Sequence, residues 1–200
     1  MFFPSPHVPE NDCACCLPVL GSQRLILRPF SLADAPDVQR LAGDRDLAAM
    51  TGLIPHPYED GMAEAWIRSH SDSFERGKGL NYAVVLRDRQ WLCGAIGFGI
   101  NIANINAELG YWIGKPFWGQ GYCTEAAQIL LRYGFTSLKL HRIHASHFVK
   151  NPASGRVMQK IGMTYEGCLR QHVWKWGQFE DVEQYGILSS EWQSRRFGQK

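Results

Sequence analysis

The sequence predicts a layered fold of the α/β or α+β class, in which helices flank a mixed, mostly antiparallel sheet. Three observations predict this class. Segments of period-two alternation and segments of helical periodicity interleave along most of the chain. Residues 82–100 have the pattern of two strands joined by a polar turn, which indicates a hairpin. Residues 106–134 have the pattern of a strand, a glycine-bearing loop and a helix.

The first third of the chain begins with an irregular arm. Residues 1–21 hold four prolines and little periodicity, so we expect them to be extended or disordered. Arg24–Phe30 is the first predicted strand, and Ser31–Asp34 forms a capping box that opens a short helix. Gly43–Pro57 is predicted to be irregular. The next helix carries one apolar stripe at helical spacing, made of Ala63, Trp66, Ile67, His70 and Phe74.

The hairpin that follows runs from Tyr82–Leu86 through a turn at 87–90 into Trp91–Ile100. Its second strand contains Gly94, Gly97 and Gly99. Glycine in a strand often marks a place where another group approaches the backbone closely. We therefore expect something to pack very near this strand.

The last third of the chain predicts a strand, a helix and a strand pair. Leu140–Phe148 is the strand, and Asn151 caps the helix, with Pro152 at its first position. Met163–Leu169 and Val173–Leu188 are predicted to form an antiparallel pair. We expect a single domain over residues 22–190, because no repeat or linker interrupts it, and a frayed polar tail over 191–200.

Composition excludes several classes of function. The chain has 21 basic and 19 acidic residues, a net charge of +2, so we expect no nucleic-acid partner. No apolar run approaches the roughly 20 residues of a membrane span, so we expect no membrane association. The N-terminus lacks a cationic region, and its prolines would break a signal-peptide core. We expect a cytoplasmic protein, either a monomer or a homodimer.

Two clusters resemble metal sites, but the sequence predicts no metal. Cys13, Cys15 and Cys16 do not follow a standard zinc spacing and lack a second cysteine pair, so we expect reduced thiols. His141 and His147 would share a strand face about 20 Å apart, with His144 on the opposite face.

The central stretch, residues 106–125, organises the rest of the chain. Leu109, Tyr111 and Ile113 alternate with Glu108, Gly110 and Trp112, and Pro116 ends this strand. Gly119 and Gly121 then permit torsions that a side chain forbids, and a helix begins near Tyr122. A glycine loop at a helix start directs free backbone N–H groups to one point, which indicates an anion site, most naturally for phosphate.

Two segments of the chain resemble a known family. Gly110-Tyr-Trp-Ile113, followed by Trp118-Gly-Gln-Gly-Tyr-Cys-Thr-Glu-Ala126, is similar to the acetyl-CoA signature of GCN5-related N-acetyltransferases. The branch that acetylates N-termini of ribosomal proteins is the most similar, and Arg24-Leu-Ile-Leu-Arg-Pro29 resembles its first strand. The resemblance implies an acyl-CoA N-acyltransferase fold over about residues 24–188, with the sheet splayed at its centre. Gly110 would carry a bulge that starts the splay.

The resemblance also implies acetyl-CoA as cosubstrate and a set of residues that bind it. Trp118 replaces the usual polar residue of the family loop, so any contact with pyrophosphate there would come from backbone. Cys123 is small enough to allow close approach, and Asn151 would hold the pantetheine amides, cap its helix, or do both. The implied cofactor-binding residues are Trp112, Ile113, Trp118, Gly119, Gln120, Gly121, Tyr122, Cys123, Thr124 and Asn151.

Acetyl transfer to an amine needs a base for the amine and a proton for the leaving thiolate. Glu108 is the candidate base, because it is the only acidic residue on the central strand. The alternative for Glu108 is a solvated or ion-paired carboxylate, and His172 is a second candidate base. Many family members have a tyrosine acid where this chain has Met158. Ser154 stands where the ribosomal-protein branch has a serine, which makes it the candidate acid, and Tyr165 is the fallback.

We expect the acceptor to be a primary amine, most plausibly the N-terminal α-amine of a peptide or protein. It would attack directly in a ternary complex. Trp174 and Trp176 would suit a peptide in the acceptor pocket, and loops such as 43–57 would choose the acceptor. The alternatives are acetylation of a small molecule (an antibiotic, polyamine or amino acid) and a non-catalytic sensor that only binds CoA.

Overall fold

The computed structural model describes the backbone of residues 17–197 and the side chains of 17–194. The predicted Cys13–Cys16 cluster and most of the predicted arm lie outside the described residues. Eight strands and six helices follow one another in the described part of the chain. The strands are β1 Leu20–Gly21, β2 Leu25–Pro29, β3 Gly79–Leu86, β4 Leu92–Asn101, β5 Asn106–Ile113, β6 Arg142–Phe148, β7 Thr164–Lys175 and β8 Gln178–Leu188. The helices are α1 Ala35–Ala42, α2 Arg45–Ala49, α3 Met62–Glu75, α4 Tyr122–Thr136, α5 Pro152–Lys160 and α6 Ser189–Phe197.

The eight strands form one sheet in the order β1-β2-β3-β4-β5-β6-β8-β7. Every neighbouring pair is antiparallel except β5 and β6, which are parallel. The predicted class, a mixed and mostly antiparallel sheet flanked by helices, is confirmed.

The sheet buries a different apolar cluster on each face, because successive residues of a strand point to opposite sides. On β3, Tyr82 and Val84 belong to the cluster that includes residues of α4 and α5. Ala83 and Val85 belong to the other cluster, which includes residues of α1 and α3. Side chains of the central strand β5 therefore reach either helical layer, depending on whether their number is odd or even.

Strands β5 and β6 splay apart, as the resemblance implied. Only three residue pairs join them, ending at Glu108 opposite His144. Strand β5 continues to Ile113 along β4 without a break in register. The predicted bulge at Gly110 is wrong, because Gly110 pairs in regular register with Gly97. The splay instead arises because β6 leaves β5 beyond Glu108.

The structure differs from the sequence prediction in four short regions. Leu20–Gly21, predicted as arm, pairs with β2 as β1. The irregular stretch 43–57 contains α2, which Asp44 caps by accepting from the N–H groups of Asp46 and Leu47. Strand β7 continues to Lys175, and the turn to β8 lies at Trp176–Gly177, inside the predicted last strand. The predicted frayed tail includes most of α6.

Candidate active site

A cleft with a volume of about 1660 Å³ opens where β5 and β6 part. Strands β4, β5 and β6 line it from the sheet, and the loop before α4 and the start of α5 line it at one end. Residues 46–55, which include α2, line its other side. The cleft therefore reaches both faces of the splayed sheet, so that two substrates could meet in it from opposite sides.

The loop before α4 has the conformation that its glycines predict. Gly119 and Gly121 have φ of +75° and +80°, in the left-handed region, and Gly121 caps α4. A Cβ atom at Gly119 would meet no other group within 4 Å, so the loop borders open space. Backbone N–H groups at the start of a 15-residue helix border the same cleft, which fits a diphosphate.

Arg24, at the start of the sheet, holds this loop in place. Its guanidinium donates to the Gln120 carbonyl at 3.1 Å and to Glu125 at 2.6 Å, and it lies 4.9 Å from the centre of the Tyr122 ring. Burial alone would raise the pKa of Glu125, but hydrogen bonds from Ser22 and Arg24 outweigh it and lower the pKa. The pairing with Arg24 thus offsets a negative charge in the first turn of α4 that would repel a phosphate. The sequence analysis used Arg24 only as a strand residue.

Ten residues were predicted to bind the cofactor, and all of them except Gln120 line the cleft. The Gln120 side chain lies at a separate depression and is 3.4 Å from the Pro116 carbonyl. The Trp118 indole N–H donates to the Ile113 carbonyl at 2.5 Å. Any contact of residue 118 with pyrophosphate would therefore come from backbone, as predicted. Asn151 caps α5 by accepting from Ser154 N–H, and its amide donates to the Met50 carbonyl at 3.2 Å.

Glu108 is the last residue of β5 to pair with β6, and its side chain is exposed in the cleft. Ser146, two residues further along β6 than its partner His144, has its Oγ 3.5 Å from the Glu108 carboxylate. No cation contacts Glu108 among the described residues, so its carboxylate is available to a substrate amine.

Ser154 lies in the first turn of α5 and contacts a residue that the sequence analysis did not single out. The Tyr111 hydroxyl is 2.8 Å from Ser154 Oγ and 3.2 Å from the Ser154 carbonyl oxygen. Burial raises the pKa of Tyr111, with a smaller contribution from Cys123, so the phenol stays protonated. Met158, at the position of the usual family tyrosine, is buried in the core. Tyr111 thus supplies a phenol from the strand where α5 has none.

The remaining predicted residues divide between the cleft and the surface. His172, on β7, lines the cleft. Tyr165 does not: it is half exposed and packs edge-on against Tyr185, so the structure does not support it as the fallback acid. The expectation that Trp174 and Trp176 line the acceptor pocket is wrong. Both lie at the end of the β7–β8 hairpin, outside the cleft.

The family model described as acetyltransferase (GNAT) domain matches residues 24–164. The chain belongs to the GNAT acetyltransferase family. This assignment makes it an acetyl-CoA-dependent N-acetyltransferase.

Three curated GNAT relatives have names that state different substrates or none. The uncharacterized N-acetyltransferase p20 of Bacillus licheniformis is 30% identical over 174 residues, 86% of this chain and 97% of that protein. The ribosomal-protein-serine acetyltransferase of Escherichia coli is 33% identical over 115 residues, covering 57% and 63%. The spermidine N(1)-acetyltransferase of Vibrio cholerae is 28% identical over 178 residues, covering 87% and 98%.

Two solved GNAT structures share the fold. An acetyltransferase from Bacillus anthracis has a TM-score of 0.76 and 30% identity, covering 86% of this chain and 99% of its own. RimL, an L7/L12 α-N-protein acetyltransferase in complex with coenzyme A, has a TM-score of 0.79 and 22% identity, covering 86% and 98%.

Residues 50–55 cover part of the GNAT cleft of this chain, and we call this segment the roof. Buried Lys175 donates its ammonium group to the Ile54 carbonyl at 2.7 Å, and Asn151 donates to Met50 from the opposite side. Burial and the nearby Lys150 lower the pKa of Lys175. Side-chain hydrogen bonds thus hold the backbone at two points, Met50 and Ile54, of the loop that was predicted to determine acceptor choice.

Thiol chemistry by the protein itself is not favoured in this cleft. Burial raises the pKa of the Cys123 thiol, and Cys93 raises it further. Cys123 therefore remains protonated near neutral pH and is not a nucleophile. Among the described residues there is no group of His, Cys, Asp and Glu side chains that could hold a metal. No helix in the described part of the chain could cross a bilayer.

Proposed function

We propose that this GNAT enzyme acetylates the N-terminal α-amine of a peptide or protein. The charge of the cleft carries this proposal. Only two carboxylates line the cleft in the described part of the chain, Asp46 and Glu108. Asp46 is bonded to Lys115 at 2.5 Å, so Glu108 alone is unpaired. A polyamine or aminoglycoside would need several carboxylates for its several ammonium groups.

The basic side chains of the cleft favour the same conclusion. Four of them line it, and they outnumber the carboxylates: Lys78, Lys150, Arg156 and Lys160. Lys150 pairs with Glu180, which leaves three basic side chains against the single unpaired carboxylate of Glu108. Positive charge suits the phosphates of acetyl-CoA and repels a polycation. A single α-amine has a pKa of about 7.7 to 8.0, against about 10.4 for a lysine amine, so one base can deprotonate it near neutral pH. The resemblance to a ribosomal-protein-serine acetyltransferase supports a protein acceptor.

Acetyl-CoA and the acceptor would bind on opposite sides of the gap between β5 and β6. The glycine loop and the start of α4 would hold the diphosphate, and the free edge of β5 beyond Glu108 would face the pantetheine. Bound acetyl-CoA supplies an acetyl group on a thioester. The acceptor would enter beneath the roof formed by residues 50–55, on the side of the sheet from which Glu108 projects.

Two groups of this chain would move the protons. Glu108 takes one proton from the ammonium, directly or through water, and the free amine then forms its bond to the acetyl carbon. Tyr111 donates a hydrogen bond to Ser154 Oγ, which leaves the Ser154 proton free to face the sulfur. As the carbon–sulfur bond breaks, Ser154 gives this proton to the leaving thiolate. The second proton that the nitrogen loses on becoming an amide then returns to Ser154 Oγ. His172 lines the same cleft and would be the alternative base.

A second candidate function is acetylation of a small amine, which the resemblance to a spermidine acetyltransferase favours. A third is a sensor that binds CoA without turnover. An acceptor panel separates the three. Release of CoA thiol is measured with short peptides carrying free N-termini, with the same peptides Nα-blocked, and with spermidine and an aminoglycoside. We expect the highest kcat/KM for a peptide with a free N-terminus and no release of CoA thiol with its Nα-blocked form.

Faster turnover of spermidine or the aminoglycoside than of every peptide would contradict the proposal. No turnover of any amine, with CoA binding intact in calorimetry, would favour the sensor. Cytoplasmic location is part of this proposal, because acetyl-CoA and newly made proteins occur together there.

A further inference from the structure

On the face of the sheet that carries Glu108, the neighbouring positions of β4 and β5 are glycines and have no side chains. Two cross-strand rows can be followed by register. Gly79 on β3 pairs with Gly99 on β4, which pairs with Glu108 on β5. Two residues along, the second row runs from Asn81 through Gly97 to Gly110. A Cβ atom at Gly99 or Gly110 would meet no other group within 4 Å, so the floor of the cleft is open backbone at these positions.

On β3, β4 and β5, Asn81 is the one polar side chain in these two rows besides Glu108, whose row continues to His144 on β6. A Cβ atom on Gly97 would lie 2.5 Å from Asn81 Oδ1, so the Asn81 amide lies across Gly97 and points from β3 toward β5. Any residue but glycine at position 97 would displace it. The sequence predicts a close approach of some group to the second strand of the hairpin. At Gly97 that group is the Asn81 amide, which occupies the space that a side chain would fill.

The Asn81 amide has no hydrogen-bond partner among residues 17–194. It lines the cleft and makes no side-chain hydrogen bond in the part of the chain that the structure describes. A side-chain amide offers two N–H donors and one carbonyl acceptor, the same groups that a peptide bond presents. Its hydrogen-bonding capacity is therefore free for a ligand in the cleft.

The spacing of the two rows matches the start of a peptide. Two residues along a strand span about 7 Å, and neighbouring strands lie about 4.8 Å apart. In a peptide, the first carbonyl and the following N–H lie within about 4 Å of the terminal amine. An amine at Glu108 therefore places its first peptide group over Gly99 and Gly110, within reach of the Asn81 amide.

We propose that Asn81 determines acceptor specificity by hydrogen bonding to the first peptide group of the acceptor. This inference rests on the proposed function, since it requires a peptide acceptor. It gives a physical basis for selection against polyamines, which have no peptide group to pair with the amide. A peptide group that is removed from water and gains no hydrogen-bond partner in the complex lowers the binding affinity. Loss of the contact with Asn81 therefore weakens binding of the peptide.

The test compares Asn81→Ala and Asn81→Leu with wild type. The leucine variant keeps the approximate size of the side chain and removes both hydrogen-bonding functions. Asn104→Ala is the matched control, because Asn104 is exposed in the turn after β4 and does not line the cleft. Initial rates are measured over a range of peptide at saturating acetyl-CoA, and then over a range of acetyl-CoA. Thermal unfolding of each variant reports folding.

We expect both Asn81 variants to raise the KM for the peptide about tenfold, the effect of one hydrogen bond of about 1.4 kcal/mol. The kcat at saturating peptide and the KM for acetyl-CoA stay within twofold of wild type, and the control is unchanged. A peptide KM within twofold of wild type in both variants overturns the inference and leaves the proposed function intact. So does an increase confined to the KM for acetyl-CoA. Absence of peptide acetylation by wild type overturns the proposed function, and this inference with it.

Discussion

The Tyr111 hydroxyl lies 2.8 Å from the Ser154 Oγ, and this contact joins the splayed strand β5 to the first turn of α5. Strand β6 no longer pairs with β5 at this level, so Tyr111 reaches α5 across the gap. The two hydroxyls therefore lie together at the point where the cleft passes through the sheet. Either oxygen can donate to the other, and only donation by Tyr111 leaves the Ser154 proton free.

Ser154→Ala removes the proposed proton donor to the thiolate. We expect kcat to fall about ten- to a thousandfold, the usual range for one proton-transfer group, with little change in CoA affinity. Tyr111→Phe is expected to lower kcat less, because it removes only the group that orients Ser154. If the two act as a unit, the double variant falls no further than Ser154→Ala. Additive losses would mean that the hydroxyls act separately. Ser71→Ala, at an exposed position of α3, is the control.

Glu108→Gln removes the proposed base and keeps its size. We expect the rate to fall mainly at low and neutral pH, because the amine is then protonated and needs a base. The rate should recover partly as pH rises through the α-amine pKa of about 7.7 to 8.0, since the amine loses its proton unaided. The measurement is the pH profile of kcat/KM, with Glu75→Gln, at the end of α3 and outside the cleft, as control. A constant ratio of variant to wild type at all pH values would exclude this role for Glu108, and His172 would be tested next.

Gly121→Glu and Gly121→Gln form a matched pair at the start of α4. Both place a side chain on a residue with φ of +80°, so they share the backbone strain and differ in charge. We expect both to weaken CoA binding in calorimetry, and the glutamate variant to bind about tenfold more weakly than the glutamine variant. Wild-type affinity in folded variants would remove the loop from the phosphate site.

Asp34→Asn tests the ion pair that closes the first helical turn after β2. Asp34 accepts from the Arg28 guanidinium at 2.7 and 2.8 Å and from the Ser31 N–H at 2.8 Å. Burial opposes ionisation of Asp34, but these hydrogen bonds outweigh it and lower its pKa. We expect a loss of about 2 kcal/mol at neutral pH, or about 4 to 8 °C in Tm.

The pH dependence of this difference has a defined sign. Since the folded pKa of Asp34 is lowered, its stabilisation is present above the unfolded value of about 3.9 and is lost as pH falls through the folded value. The Tm of wild type should therefore approach that of Asp34→Asn in acid. A difference that stays constant from pH 7 to the lowest pH would contradict the ionic contribution. Asp37→Asn, at an exposed ion pair, is the control.

The sequence predicted the elements whose periodicity is long and whose caps are specific. The glycine loop and the start of α4 followed from Gly119 and Gly121, because only glycine adopts positive φ easily. The start of α5 followed from Asn151 and Pro152. Helix α2 was missed because five residues are too few to show a period, although Asp44 is a typical cap.

One member of the proposed Ser154–Tyr111 pair was predicted, and the other was missed for a different reason. Ser154 came from a position in a motif, whereas Tyr111 was assigned only to the alternation of a strand. Nothing in the local sequence distinguishes a core tyrosine from one whose hydroxyl reaches another helix. Tyr165 was chosen because it carries a hydroxyl, but β7 lies at the edge of the sheet, with β6 and β8 between it and β5. Such assignments depend on strand order, which local periodicity does not contain.

Strand β7 shows the same limit. Its middle residues are exposed and polar, and Gln171 has φ of +50° at an irregularity in the pairing with β8. An edge strand of this kind has no clear alternation, so the sequence divided it at the wrong place. The two-residue turn at Trp176–Gly177, with positive φ at both residues, is the hairpin signal that was overlooked.

The most direct test of the proposed function offers the enzyme both kinds of amine in one molecule. A short peptide with a free N-terminus and an internal lysine is incubated with acetyl-CoA and an equimolar amount of spermidine. Tandem mass spectrometry then locates the acetyl group. The account predicts that the first product is peptide acetylated on the α-amine, with lysine and spermidine unmodified. Acetyl-spermidine or Nε-acetyl-lysine as the main product would contradict it.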